Sequence, residues 1–184
     1  MSEQSTELSV EIRPFDVGDV AAVQAMVARV PEGDRTFFKE DARDPAHVES
    51  WSDAPGRRLL AVDGDRVLGY VAVAPLTGWS SHVGEVRLVV APEARGQGVG
   101  RALARGGLLV ALELGLHKIF VEVVASQAAP VRLFEALGFE PEGVLRDHVR
   151  DPEGGAHDVV VLAHFVDDTW AGMLTAGIDE AFDG

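Results

Sequence analysis

Along the chain, stretches in which apolar and polar residues alternate with period two give way to stretches with apolar residues three or four apart. Leu8, Val10 and Ile12 alternate and predict a first strand over Leu8–Phe15. Asp16 stands where a helix needs a cap, and Val20, Val23, Met26, Val27 and Val30 form an apolar stripe behind it. Pro31-Glu32-Gly33 ends that helix. The stretch 34–44 is charged and irregular, with Phe37 and Phe38 inside it, and Asp44-Pro45 opens a short helix through Trp51. Arg58–Val62 and Val67–Ala74 flank the turn Asp63-Gly64-Asp65-Arg66 and predict a hairpin.

A loop carrying Trp79 follows, then a strand over Glu85–Val90 and a long helix over Gly98–Gly115 with Val99, Ala102, Leu103, Gly106, Leu109 and Val110 on one face. Gly106-Gly107 costs that helix about 1 kcal/mol per glycine in propensity, which close packing against a sheet would explain. Lys118–Ala125 predicts a strand apolar on one face, and Ala128–Leu137 a short helix ending at Gly138. Phe139–Arg150 and Asp158–Phe165, around a Pro/Gly turn, predict a closing antiparallel hairpin, and 167–184 a helix around Trp170, Met173 and Leu174. The order is β-α-α-β-β-β-α-β-α-β-β, a mixed α/β fold with a sheet of about seven strands flanked by helices.

Composition changes this picture only by exclusion. The 184 residues suit one domain, 1–184, with its core over about 8–165 and a C-terminal extension over 166–184. No repeat, low-complexity tract or linker divides it. No apolar run approaches the roughly 18 residues of a membrane span, and the polar, acidic N-terminus lacks the features of a secretion signal. Cysteine is absent, which removes disulfides, thiolate metal sites and a cysteine nucleophile; no metal is expected. A cytoplasmic location is the expectation, and the Ala/Gly/Val/Arg-rich composition suggests a bacterial gene. The net charge of −14 argues against nucleic acid as a partner. The same charge opposes any polyanionic ligand, but screening confines exposed charges to roughly 8 Å at physiological salt.

The most informative chemistry lies between Val89 and Leu103. An apolar strand runs into Pro92, a turn spaced by Gly96, Gly98 and Gly100, and a helix. Such a turn aims unpaired backbone N–H groups and the positive end of a helix dipole at one spot, an anion site suited to phosphate or pyrophosphate. A dinucleotide fingerprint fails, because the sixth residue from Gly96 is Arg101 and from Gly98 is Leu103. A phosphate-binding Walker loop fails too, because Gly100 is followed by Arg101 and Ala102. The competing reading is a glycine turn that merely opens a buried helix.

Arg95, Gly98 and Gly100 resemble the Gln/Arg-x-x-Gly-x-Gly/Ala loop of the GCN5-related N-acetyltransferases (GNAT superfamily). A second landmark stands in register: Gln127, Leu133, Phe134, Gly138 and Phe139 occupy the places of that family's Asn and Tyr-x-x-x-Gly-Phe. The element order also matches, so the resemblance covers about 8–165. It implies acetyl-CoA as co-substrate, with the pyrophosphate on Arg95, Gly96, Gln97, Gly98, Val99 and Gly100. The pantetheine arm would lie on backbone at Leu88 and Val90, where the strand splays from its neighbour, flanked by Gln127 and Phe134. It further implies acetyl transfer by direct attack of a primary amine, on a small molecule or an amino acid.

Glu85 is the leading candidate base, against a salt bridge with Arg87 or a solvated strand end, and His82 is a second candidate. His148 and His157 on the closing hairpin, Arg146 and Arg150, and the aromatic and acidic residues Phe37, Phe38, Trp51, Trp79, Glu32, Asp34, Glu40 and Asp41 could line an acceptor pocket; each has an ordinary structural reading beside it. Phe134 departs from the family, which usually places a Tyr general acid there, and Gln127 for Asn is a milder change. Two other functions therefore stay open: a non-catalytic acyl-CoA-binding or sensing domain, and a protein acetyltransferase acting on lysines or N-termini. A homodimer is a further expectation.

Overall fold

The computed structural model describes residues 9–35 and 38–167. It contains a seven-stranded mixed sheet in the order β1-β2-β3-β4-β5-β7-β6, with helices between the strands. The elements are β1 (Glu11–Pro14), α1 (Val20–Arg29), α2 (Glu32–Arg35), α3 (Pro45–Glu49), β2 (Arg57–Asp63), β3 (Arg66–Pro75) and β4 (Val83–Val90), then α4 (Val99–Glu113), β5 (Lys118–Val124), α5 (Ala128–Glu135), β6 (Glu140–Arg150) and β7 (Ala156–Phe165). The first strand is shorter than its alternation suggests, β4 begins two residues earlier, and α2 occupies a stretch expected to end a helix. The predicted C-terminal helix, Leu8 and Phe37 lie outside the described residues. Residue contacts divide the chain into two compact units, Met1–Ala72 with Arg87–Gly106, and Val73–Val86 with Gly107–Gly184.

In the first unit, side-chain caps open the turn ahead of α1 and the start of α3. Asp16 accepts the Gly18 N–H at 2.9 Å while Asp19 accepts the Asp16 N–H at 2.9 Å, a reciprocal capping box ahead of α1. Arg13 grips the same Asp19 carboxylate with both terminal nitrogens, at 2.8 and 2.7 Å. Behind the cap, Val23, Met26, Val27 and Val30 are buried, as their spacing requires. Asp44 accepts the Ala46 N–H at the start of α3, with Pro45 at its first turn. Trp51 is buried between Phe15 and Tyr70, at ring distances of 5.4 and 4.9 Å. On α4, a Cβ at Gly106 would stand 2.8 Å from Leu59 and 3.4 Å from Ile12. The helix thus tolerates that glycine because it packs against β2 and β1.

Buried charge completes this unit. One oxygen of Glu40 accepts Arg58 Nη2 at 2.8 Å and Arg87 Nη1 at 2.7 Å. The Glu40 side chain is 3% exposed and that of Arg58 7%, so the pair has lost nearly all its water. Arg58 also lies over the Trp51 ring at 5.0 Å, where the cation meets the negative face of the indole. Burial, and then the nearby Glu40 charge, push the Tyr70 hydroxyl well above the usual phenol range, so it stays neutral.

In the second unit, β5 alternates buried Ile119, Val121 and Val123 with half-buried positions. Its parallel register with β4 covers Val83–Val86 against Lys118–Val121, and its antiparallel register with β7 runs from Lys118↔Phe165 to Val124↔Val159. On α5, Phe134 packs edge-on against Phe139 at 5.0 Å, and Phe139 lies 5.3 Å from the His164 ring. His164 Nδ1 meets the Gly138 carbonyl at 2.8 Å and holds the turn between α5 and β6. β6 and β7 form the predicted closing hairpin.

Two stability predictions follow from the first unit. Removing one partner of a buried ion pair strands the other, so Glu40→Ala should cost about 3–5 kcal/mol in urea denaturation. Asp19→Asn keeps an acceptor for the Asp16 N–H but loses the charged two-point pair with Arg13, and should cost about 1 kcal/mol at pH 7. The Arg13 hydrogen bonds, opposed by partial burial, hold the Asp19 carboxyl below its ordinary value. Its stabilisation is therefore full above the unfolded carboxylate pKa of about 3.9 and is lost as pH falls through the lowered value. The difference between parent and variant should shrink as melts move from pH 7 toward pH 3.

Candidate active site

β4 leads directly into the predicted anion loop. Leu88 and Val90, both half-buried, lie past the end of the β4–β5 register. The loop is pinned where it leaves the strand, by the Ala91 N–H on the Leu68 carbonyl at 2.8 Å, and then makes a single turn over Pro92–Ala94. Opposite, Gly69 of β3 has no side chain; a Cβ there would meet the Val89 carbonyl at 2.5 Å. A larger residue would therefore push on the strand that feeds the loop.

Gly96 and Gly98 have φ of +74° and +83°, left-handed conformations that cost other residues roughly 1–2 kcal/mol. A Cβ at either would meet nothing within 4 Å. Backbone conformation, then, requires these glycines, and open space lies before them. The α4 ladder starts with the Ala102 N–H on the Gly98 carbonyl at 3.0 Å, so the N–H groups of Val99, Gly100 and Arg101 precede it. No acidic residue stands in that first turn, and the exposed Arg101 and Arg105 follow. Backbone donors and the helix dipole therefore converge at the start of α4, as an anion requires.

Arg95 is engaged from both sides. Its Nη1 meets Asp34 of α2 at 2.7 Å and its Nε donates to the Val90 carbonyl at 3.3 Å. The Gln97 amide donates to the Glu93 carbonyl at 2.6 Å, bracing the turn from within. Glu93 itself receives Arg29 and Arg66, partners 64 and 27 residues away that no local motif includes.

Thus Leu88, Val90, Arg95, Gly96, Gln97, Gly98, Val99 and Gly100 come together in the first unit. Glu85, His82, Gln127 and Phe134 belong to the second. Glu85 is buried in β4 opposite Phe120, whereas His82 is exposed just before β4. The His82 ring lies 6.4 Å from that of His117, and its carbonyl accepts the His117 N–H at 2.9 Å. Gln127 is the half-buried cap residue of α5, and Phe134 is 2% exposed against Phe139.

Among the acceptor-lining candidates, Trp51 and Glu40 are core residues of the first unit, while Trp79 is 96% exposed. Glu40 Oε2 and Trp51 Nε1 are buried without a hydrogen-bond partner among the described residues. His148 is exposed, and His157 Nε2 lies 2.8 Å from Asp151. That contact, with the Gly155 N–H, holds the Asp151 carboxyl below its usual range. Among the described residues no group of three or more His, Asp or Glu side chains is arranged to hold a metal ion, and no helix is long and apolar enough to cross a membrane.

Residues 25–139 match the family model described as the acetyltransferase (GNAT) family. A mycothiol acetyltransferase of Pseudarthrobacter chlorophenolicus is 38% identical over 149 residues, covering 76% of this chain and 45% of that protein. One of Kocuria rhizophila is 39% identical over 149 residues, covering 75% of this chain and 48% of that protein. The chain therefore spans about half the length of these curated relatives. Among solved structures, the Salmonella typhimurium protein yncA, described as an acetyltransferase and solved with its cofactor acetyl-CoA, superposes with a TM-score of 0.75 at 20% identity, over 86% of this chain and 95% of that one. A GCN5-related N-acetyltransferase of Kribbella flavida gives 0.68 at 27% identity, over 85% of this chain and 98% of that one. The glycine loop and the strand leading into it fall within the matched stretch, and the chain belongs to the acetyltransferase (GNAT) family.

Proposed function

We propose that this domain transfers the acetyl group of acetyl-CoA to a primary amine of a small molecule or an amino acid. The observation that carries the reading is the loop itself: two glycines held at positive φ before open space, followed by the free N–H groups of a fifteen-residue helix. That arrangement suits the CoA pyrophosphate, bound by backbone at Gly96, Gln97, Gly98, Val99 and Gly100 with Arg95 alongside. Leu88 and Val90 offer backbone groups to the pantetheine arm.

In the reaction, the amine nitrogen attacks the thioester carbonyl carbon, and the Val90 N–H supports the oxyanion that forms. As the C–N bond completes, the C–S bond breaks and CoA leaves as a thiolate. The proton lost by the amine passes through water to Glu85, whose burial on β4 suits a base shielded from bulk solvent. His82, exposed at the strand's start, is the lesser candidate. Phe134 has no hydroxyl, so the thiolate takes its proton from water. The acceptor is open. A compound related to mycothiol stands first in a panel, on the strength of the relatives' name. A cytoplasmic bacterial setting and a homodimer complete the proposal.

Phe134 favours one second reading, an acyl-CoA-binding domain without turnover. The two separate by experiment. Calorimetric titration should show saturable binding of acetyl-CoA and none of NADH or ATP; no binding of acetyl-CoA would overturn both. For the transferase, Glu85→Gln should lower kcat at least about 100-fold while leaving acetyl-CoA affinity unchanged. CoA binding with no CoA release across a broad amine panel would leave the binding domain standing. Light scattering should report twice the chain mass, and a monomer at assay concentration would end the dimer.

A further inference from the structure

The anion loop contains an acid. Glu93 lies in the turn between β4 and Gly96, three residues from the first positive-φ glycine. Its Oε1 accepts Arg29 Nε, from the last turn of α1, at 2.6 Å and Arg66 Nη2, from the start of β3, also at 2.6 Å. Arg29 is itself fixed, donating to the Val67 carbonyl at 2.8 Å and the Ala25 carbonyl at 3.0 Å. The Glu93 carbonyl accepts the Gln97 amide at 2.6 Å, between the two positive-φ glycines. One residue thus joins α1, β3 and both ends of the turn.

We propose that Glu93 is a positioning residue for the pyrophosphate loop, so that this carboxylate promotes binding of a polyanionic co-substrate. The inference rests on the acetyl-CoA reading above. Burial alone would raise the Glu93 carboxyl, but its own backbone N–H and the two arginines bring it below its usual value, so the clamp is fully charged at neutral pH. Two effects of removing that charge then have opposite signs. As a plain charge beside a phosphate site, Glu93 would repel the ligand, and its loss would tighten binding. As the knot that fixes Gly96–Gly100 in the binding conformation, its loss would weaken binding, because the ligand must then order the loop itself.

Calorimetric titration of the full chain with acetyl-CoA decides the sign. Glu93→Gln keeps the shape and removes the charge that both arginines share. The proposal expects acetyl-CoA to bind about 5- to 10-fold more weakly, with the melting temperature within about 5 °C of the parent. Arg66→Ala, at a half-exposed position that folding tolerates, should weaken binding in the same direction and add little in the Glu93→Gln background. If Glu93→Gln fails to fold, Arg66→Ala alone carries the test. Binding by the variants as tight as the parent's, or tighter, overturns the proposal while leaving the acetyl-CoA reading intact. A parent that does not bind acetyl-CoA overturns that reading first, and this proposal with it.

Discussion

A single oxygen of Glu40, shared by two arginines and cut off from water, sets the geometry of the first unit. It joins the irregular segment after α2 to β2 through Arg58 and to β4 through Arg87. Such a buried pair adds little net stability over an apolar core. What it enforces is register, since a slip of β4 by one residue would turn Arg87 to the opposite face. Leu88 follows immediately, so the constraint acts on the strand that delivers the chain into the glycine loop. Glu93 repeats the device at the loop, again with one carboxylate oxygen between two guanidiniums.

Seen this way, the net charge of −14 is less of an obstacle to an anionic ligand than its size suggests. Arg13, Arg29, Arg43, Arg58, Arg66, Arg87 and Arg95 all meet acidic side chains. Arg101, in the first turn of α4, and Arg105, one turn further along, have no acidic partner among the described residues. The field at the loop is therefore set by local donors and by these two cations. The acidic surplus elsewhere is largely screened beyond about 8 Å.

How much could be read in advance depended on the range of the interaction. Caps are local, so Asp16 and Asp44 located their helices, and Gly64 located the hairpin. The glycine loop was legible because its φ requirements are written into single residues. The short α2 was not, since four residues carry no periodicity. Nor were the ion pairs, whose partners are far apart in the chain: Arg29 and Glu93 by 64 residues, Arg87 and Glu40 by 47. Trp51 shows the same limit. Its position fitted a pocket lining as well as a core, and only the edge-on and tilted ring contacts with Phe15 and Tyr70 place it in the core. Gly106 looked like a defect in a helix until Leu59 and Ile12 appeared against it.

The sheet ends on one side at β1, four residues closed by Pro14, and on the other at β6. β6 breaks register with β7 twice, between Pro141 and Gly143 and between Leu145 and Val149, and it carries Asp147 at φ +53°. Charged, exposed side chains line it at Glu140, Glu142, Arg146 and Arg150. A neighbouring strand needs a long, straight, evenly spaced row of free N–H and C=O groups to dock upon. β1 is too short to offer one and β6 is too bent. Copies of this chain are thereby steered away from edge-to-edge sheet extension, the route toward fibrous aggregation.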